Sequence, residues 1–363
     1  MITKRISYLD GLRGVAILCV IFFHAYSYWG AVETFDQSKL LRIFFSYGFF
    51  GVYLFFAISG YVIYMSMNLN KSSNMLTFGF SRYLRLAPLM FVASVLLYLS
   101  SFLIPERPIG SANLQDFLPS ILFMQPGLLT KILSVDIQVL DGSFWSLFIE
   151  VKFYFLSAIL FFVFKDKELK GLLILYILYL LLTILVKLGI EQSYVLLTKK
   201  FLAFLGVNYY GWFLLGIYSY KYTHRLSARH IYSVVLIALI TVPAQSMMHG
   251  GSVAILIASA VTVLLFIAPL FNRSLRYILS SKVLLFFGFV SYPLYLIHQN
   301  LVTGLAIKLH NSGLELPSFV YPLPFIVLVI LVAFLMAKLE PSIKTLLLKI
   351  IPNKIFNISL TRK

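Results

Sequence analysis

The chain is short of almost everything a soluble protein needs. Only 12% of its 363 residues are charged and 60% are hydrophobic, too little polar surface to cover a globule. It has a single cysteine, Cys19, which excludes a disulfide framework and any cysteine-based metal site. No internal repeat, low-complexity segment or long linker divides it. Acidic residues are scarce, 13 against 30 lysines and arginines, giving a formal charge of +17. Such a balance can mean nucleic acid, or it can mean basic loops on one side of a membrane protein. The positions of the basic residues decide between the two.

What is present in abundance is long apolar runs, with a mean hydropathy of +0.92. Windows of about 20 apolar residues predict an all-α, polytopic helical bundle with about ten spans, at 7–29, 43–66, 86–104, 144–164, 171–188, 208–221, 231–248, 252–271, 283–306 and 322–339. With the N-terminus inside, and with Lys187, Lys221 and Lys338 at span ends counted with the loops they border, 20 of the 30 lysines and arginines fall in inner segments, 8 in outer segments and two, Arg13 and Lys152, deep within spans. That bias predicts an N-in, C-in topology and accounts for the basicity without nucleic acid. Residues 1–341 then form one transmembrane domain, and 342–363 form a basic cytoplasmic tail. The only long outer loop, 105–142, carries Glu106, Asp116, Asp136 and Asp141 and is a candidate part of an acceptor site.

The first span holds the costliest side chains. From Tyr8 to Tyr26 it is apolar enough to cross a bilayer, yet it contains Asp10, Arg13 and His24. At helical spacing these three line one stripe, and ionisable groups within a span mark a pathway or a reaction site. A signal peptide fits less well, because polar residues interrupt the run and no small-residue cleavage site follows. The fourth span enters from the outside with Glu150, which the rise per residue places, like His24, roughly 8–9 Å inside the outer boundary. Ser146, Glu150 and Tyr154 share one helical face; Ser291, Tyr295 and His298 share another, beside an expected kink at Pro293. The bland partners for Glu150 are Lys152, which points away, and Arg13, about three turns deeper. For His298 a bond to a neighbouring carbonyl outweighs a chemical role. His24, Glu150 and His298 on three helices are too weak a pattern to assign a metal. On the inner side, Arg82 and Arg85 lie three apart before the third span. They suit phosphate contacts as well as simple positive-inside anchoring, and Arg13 favours the former. Gly48, Gly51, Ser59 and Gly60 thin the second span, leaving room for a ligand or for close helix packing.

These motifs together resemble the acyltransferase-3 family of integral membrane enzymes, which O-acylate bacterial surface glycans. The resemblance runs through Tyr8-Leu9-Asp10-Gly11-Leu12-Arg13-Gly14 with His24, Gly51 to Gly60, and the arginine pair ending at Pro88. It continues through Ser143-Phe144-Trp145-Ser146-Leu147-Phe148-Ile149-Glu150 with Tyr154, Ser291 to His298, and Glu340-Pro341. Two features depart from the family pattern: Ser81 and Tyr83 dilute its basic run, and Leu156-Ser157 stand where a proline is usual. The resemblance implies a multi-pass, acyl-CoA-dependent O-acyltransferase, an O-acetyltransferase above all, in the bacterial inner membrane. Such an enzyme needs no permanently bound cofactor. The donor is cytoplasmic acetyl-CoA or another acyl-CoA. The acceptor is a glycan or lipid-linked glycan outside, such as O-antigen, capsule or exopolysaccharide. The donor's phosphates would meet Arg82 and Arg85 with Arg13 further in; His24 would act as general base with Glu150 beside it, or carry the acyl group itself. Asp10, Ser59, Trp145, Ser146, Tyr154, Ser291, Tyr295 and His298 would support the site, with Tyr295 or Ser146 as donor to the oxyanion. A glycan-precursor transporter or flippase, or a non-catalytic partner of a polysaccharide synthase, would need the same buried charge without the chemistry.

Overall fold

The computed structural model describes residues 6–28, 39–69, 75–164 and 168–350. Lys4, Arg5, Lys71, Lys165, Lys167 and the last part of the basic tail lie outside them. The described residues are helical with no strand. In chain order the helices are α1 (Ser7–Tyr26), α2 (Lys39–Phe45), α3 (Phe50–Leu69), α4 (Met75–Leu103), α5 (Phe117–Leu122), α6 (Pro126–Leu133), α7 (Trp145–Phe164) and α8 (Glu168–Lys187). There follow α9 (Ser193–Phe204), α10 (Tyr210–His224), α11 (Ala228–Met248), α12 (Val253–Phe271), α13 (Arg273–Leu279), α14 (Lys282–Asn311) and α15 (Leu323–Ile350).

Among the described residues, eight helices are long and apolar enough to cross a membrane, or up to ten if each of two bent pairs is one span. The sequence windows therefore locate the spans but miss their breaks. The sixth is α9 joined to α10 at 69°, and the ninth is α13 joined to α14 at 62°. Gly206 turns the first of these with a φ of +80°, a backbone region that an L side chain avoids. The third span begins at Met75 rather than residue 86, so Arg82 and Arg85 lie within helix α4. Helix α14 runs through Pro293, and α15 runs through Pro341 into the segment assigned to the tail.

The chain packs as two units. The first comprises Met1–Phe23, Phe44–Lys71 and Ile149–Phe289; the second comprises His24–Ile43, Ser72–Phe148 and Val290–Lys363. In the first unit, α3 and α10 pack face to face. A Cβ on Gly60 would strike the Phe213 carbonyl, and one on Gly216 would strike the Ala57 carbonyl. Gly51 meets the Ala16 carbonyl of α1 in the same way. Gly51 and Gly60 of the second span thus serve close packing, and Gly51 also lines an apolar cavity. The Asp10–Gly14 motif has the same logic. Any side chain on Gly11 would collide with the Leu279 carbonyl, and one on Gly14 with that of Leu284, while Gly288 sits on the Asp10 carbonyl. Without lipid-excluding hydrophobic force between spans, such backbone-to-backbone contact supplies the van der Waals attraction.

In the second unit the connection between α4 and α7 is not a simple surface loop. The Phe117 ring packs on Tyr98 at 5.3 Å, and the Phe123 ring packs on Tyr83 at 5.9 Å. Those tyrosines are about 22 Å apart along α4 at 1.5 Å per residue. Helix α5 therefore returns along α4, and Tyr83 donates to the Ile121 carbonyl at 3.3 Å. The buried Asp116 closes the base of this hairpin, accepting from the amides of Asn113 at 2.7 Å and Gln138 at 2.8 Å. A non-helical turn at such a level is tolerable when protein, not lipid, covers it, and Phe123 at the turn is buried.

Candidate functional site

The predicted site residues gather into two polar clusters, one in each unit. In the second unit, the His298 ring is 0% exposed, so protein groups alone satisfy it. Its Nδ1 lies 2.9 Å from the Tyr295 carbonyl and its Nε2 lies 3.1 Å from Nδ1 of His24. A carbonyl only accepts, so Nδ1 of His298 carries the hydrogen, and in the neutral ring Nε2 is the acceptor. Nδ1 of His24 must then donate, which leaves the His24 lone pair on Nε2. These tautomers follow from the bonding pattern. The two rings meet edge to face, with centroids 4.8 Å apart, and Tyr28 sets its edge against His24 at 5.3 Å. The expected carbonyl bond of His298 is there, and a second bond to His24 accompanies it.

Tyr295 organises the turn before His298. Its hydroxyl donates to the Ser143 carbonyl at 2.8 Å and sits 2.7 Å from the Ser146 hydroxyl. With the Tyr295 hydrogen given to that carbonyl, the Ser146 hydrogen goes to Tyr295. Both hydroxyl hydrogens are thereby committed, which argues against either residue as an oxyanion donor. Ser291 is buried one turn earlier on α14. Trp145, at the start of α7, is partly exposed.

The arginine turn belongs to the same unit. Tyr292 donates to the Leu86 carbonyl at 2.8 Å, next to Arg85. Tyr292 precedes His298 by six residues, a rise of about 9 Å. The Leu86 backbone, next to Arg85, thus lies about that rise plus the reach of a tyrosine from His298, and Arg82 lies one further turn along α4. Arg82 stacks over Phe78 at 5.4 Å. Arg85 is within electrostatic reach of Glu340 on α15, a pairing with no signature in the sequence.

The first unit holds Glu150. Its Oε1 accepts from Ser59 at 2.6 Å and from Tyr154, and the two hydroxyls lie 3.2 Å apart. Ser59 and Tyr154 are thus brought to the carboxylate, as helical spacing suggested for Tyr154 alone. Lys152 turns elsewhere, donating to the Phe204 carbonyl at 2.5 Å and lying 3.9 Å over the Phe204 ring. Asp10 and Arg13 flank the glycine contacts of α1, and both side chains are half-buried. This unit also has an apolar cavity of about 390 Å³ lined by Cys19, Phe50, Leu54, Ile257 and Val261 among others. Its wall offers hydrocarbon, so it cannot hold the phosphates of a nucleotide donor.

Sequence reasoning named Asp141 only as one of four acidic residues in a candidate acceptor loop. It is 0% exposed and accepts from the Ser143 amide at 2.9 Å, the Ser143 hydroxyl at 2.7 Å and the Asn300 amide at 3.1 Å. Burial raises its carboxyl to about 6, against the opposing pull of these bonds and of Arg107. Burial likewise lowers the Arg107 guanidinium, while Asp141 and then Asp116 draw it back. An aspartate two residues before Ser143, at the mouth of an apolar helix, is a legible N-cap signal. Its bond to Asn300 has no sequence signature.

A protein-family model described as an acyltransferase domain matches residues 6–338, nearly the whole chain. No curated protein and no solved structure matches it.

Proposed function

Because the chain belongs to the acyltransferase-3 family of membrane proteins, we propose that it O-acylates a glycan, taking the acyl group from an acyl-CoA, acetyl-CoA above all. The observation that supports this reading is the His24–His298 bond, which puts the hydrogen of His24 on Nδ1 and its lone pair on Nε2. In the transfer, Nε2 takes the proton of a sugar hydroxyl as its oxygen attacks the thioester carbonyl. The C–O bond forms, the C–S bond breaks, and the CoA thiolate leaves with a proton that His24 can return to it. A general base so placed is worth about 10²–10⁴-fold. His298 takes the orienting place that a carboxylate holds in serine hydrolases. Being neutral, it steadies the His24 cation through the bond to Nδ1 rather than by opposite charge.

Arg82 and Arg85 are assigned to the donor phosphates. Their separation from the imidazoles within the second unit favours a donor that reaches from the arginine turn to His24 in an extended form. Arg13, as a further cation, and Glu150, held by Ser59 and Tyr154 as a source of negative charge, are assigned to the same reaction. The ends of the 105–142 connection, tied together at Asn300, are assigned to the outside, where the acceptor arrives, in a bacterial inner membrane with both termini in the cytoplasm.

The test is to incubate membranes bearing the chain with radiolabelled acetyl-CoA and follow label into glycan. Native membranes label and His24→Ala membranes, with equal expression, do not. Label in glycan that persists with His24→Ala removes His24 from the chemistry. No label with the native chain, across acyl-CoAs and acceptors, favours a transporter or a non-catalytic partner.

A further inference from the structure

Asn300 lies within α14, two residues after His298, and is 0% exposed. In a regular helix its amide would serve the carbonyl of residue 296 alone, yet here it gives a bond to Oδ2 of Asp141 at 3.1 Å. Its side chain holds both ends of the 105–142 connection: Nδ2 donates to the Leu140 carbonyl at 2.7 Å, and Oδ1 accepts from the Ile109 amide at 3.2 Å. The other oxygen of Asp141, Oδ1, binds the Ser143 hydroxyl, which also lies 3.2 Å from the Tyr295 carbonyl. That carbonyl is the one bonded to His298. Asp141 therefore holds the His298 turn through the Asn300 amide after it, while the one hydrogen of the Ser143 hydroxyl goes to Oδ1 and leaves the Tyr295 carbonyl to His298.

We propose that Asp141 is a positioning residue for the histidine pair: its carboxylate clamps the Tyr295–Asn300 turn of α14 so that His298 stays within bonding distance of His24. A mere helix cap would not need this arrangement. Asparagine caps helices as well as aspartate does, but its Nδ2 cannot accept from the Asn300 amide. Asp141→Asn thus keeps the start of α7 and loses the grip on α14. The catalytic consequence rests on His24 being the base; the clamp itself does not.

The test separates the two. Cys19 is the only cysteine, so a full-length Cys19→Ala chain carrying His24→Cys and His298→Cys reports the separation of those positions by cross-linking with a short bifunctional methanethiosulfonate in membranes. Adding Asp141→Asn is expected to cut the cross-linking yield at least threefold, whereas Asp136→Asn, on the exposed part of the same connection, leaves it unchanged. In the otherwise native chain, Asp141→Asn is expected to lower kcat for acyl transfer at least tenfold with the KM for acyl-CoA within twofold. Should Asp141→Asn fail to insert, Asp141→Ser, which also caps a helix but has no second oxygen for the Asn300 amide, must show the same drop in yield. An unchanged yield overturns the clamp whatever happens to activity. A lowered yield in a protein that transfers no acyl group even when native leaves the clamp standing and overturns the acyltransfer reading.

Discussion

The histidine pair of the second unit and the Glu150 cluster of the first solve one problem in opposite ways. Both place polar groups within helices that are otherwise hydrocarbon, where an unsatisfied group is costly. Around Glu150 the hydrogen bonds converge: two hydroxyls give their hydrogens to one carboxylate oxygen. Around His24 they run in series, each ring passing a hydrogen towards the Tyr295 carbonyl. A convergent cluster concentrates charge and holds it. A serial one ends in a lone pair that can take a proton. The sequence already favoured His24 as the base with Glu150 beside it; the direction of the bonds supports that proposal.

Substitutions on either side put this contrast at risk. The largest effect is expected from His298→Ala, which removes the acceptor for His24 and should lower kcat about 10²-fold, within the range of acid–base catalysis. His298→Gln, able to accept from His24, should recover part of it; radiolabel transfer at saturating donor measures both. If His298→Ala keeps full activity, the serial arrangement has no catalytic meaning. A comparable free energy attaches to Asp141, whose folded value near 6 exceeds its ordinary 3.8. Because the folded value is raised, this group's stabilising contribution is complete below about pH 3.8 and is lost as pH rises through 6. The loss amounts to about 3 kcal/mol at 1.36 kcal/mol per unit, and Asp141→Asn should flatten it. Thermal unfolding in detergent between pH 4 and 7 reads the difference.

Smaller effects are expected on the convergent side. Glu150→Gln retains the shape and one acceptor for Ser59 and Tyr154 but removes the charge, and should reduce kcat about tenfold, as loss of a charge-assisted bond does. A loss as deep as that of His24→Ala would make the carboxylate a proton-transfer group after all. Arg82→Ala with Arg85→Ala should raise the KM for acyl-CoA several-fold, roughly one charge-assisted contact's worth, with little change in kcat. A defect confined to acceptor use would remove the arginines from the donor site. Ser59→Ala should be mildest, within a few-fold, because Tyr154 still serves Glu150.

Much of this was legible beforehand, and what was legible follows a rule. Spans were found because twenty or so apolar residues are a strong local signal. His24 and Glu150 stood out because charge within such a run is rare, and Arg82 and Arg85 because they lie three apart just before one. The breaks at Gly206 and at Ser280–Ser281 were missed, since a bent span has the same hydropathy as a straight one. The return of α5 along α4 was missed because 105–142 is polar enough to read as a surface connection. Asp141 was noticed only as one of four acidic residues in that stretch. Its burial depends on Asn300, which is 159 positions away.

Composition and local pattern specified a membrane-embedded helical protein, its family and the side chains worth suspecting, because each of these depends on the order of nearby residues. Folding settled which suspects meet: His24 with His298, Glu150 with Ser59 and Tyr154, Asp141 with Asn300. A hydrogen bond acts over about 3 Å and has a direction, and neither property can be read from a chain until distant segments have been brought side by side.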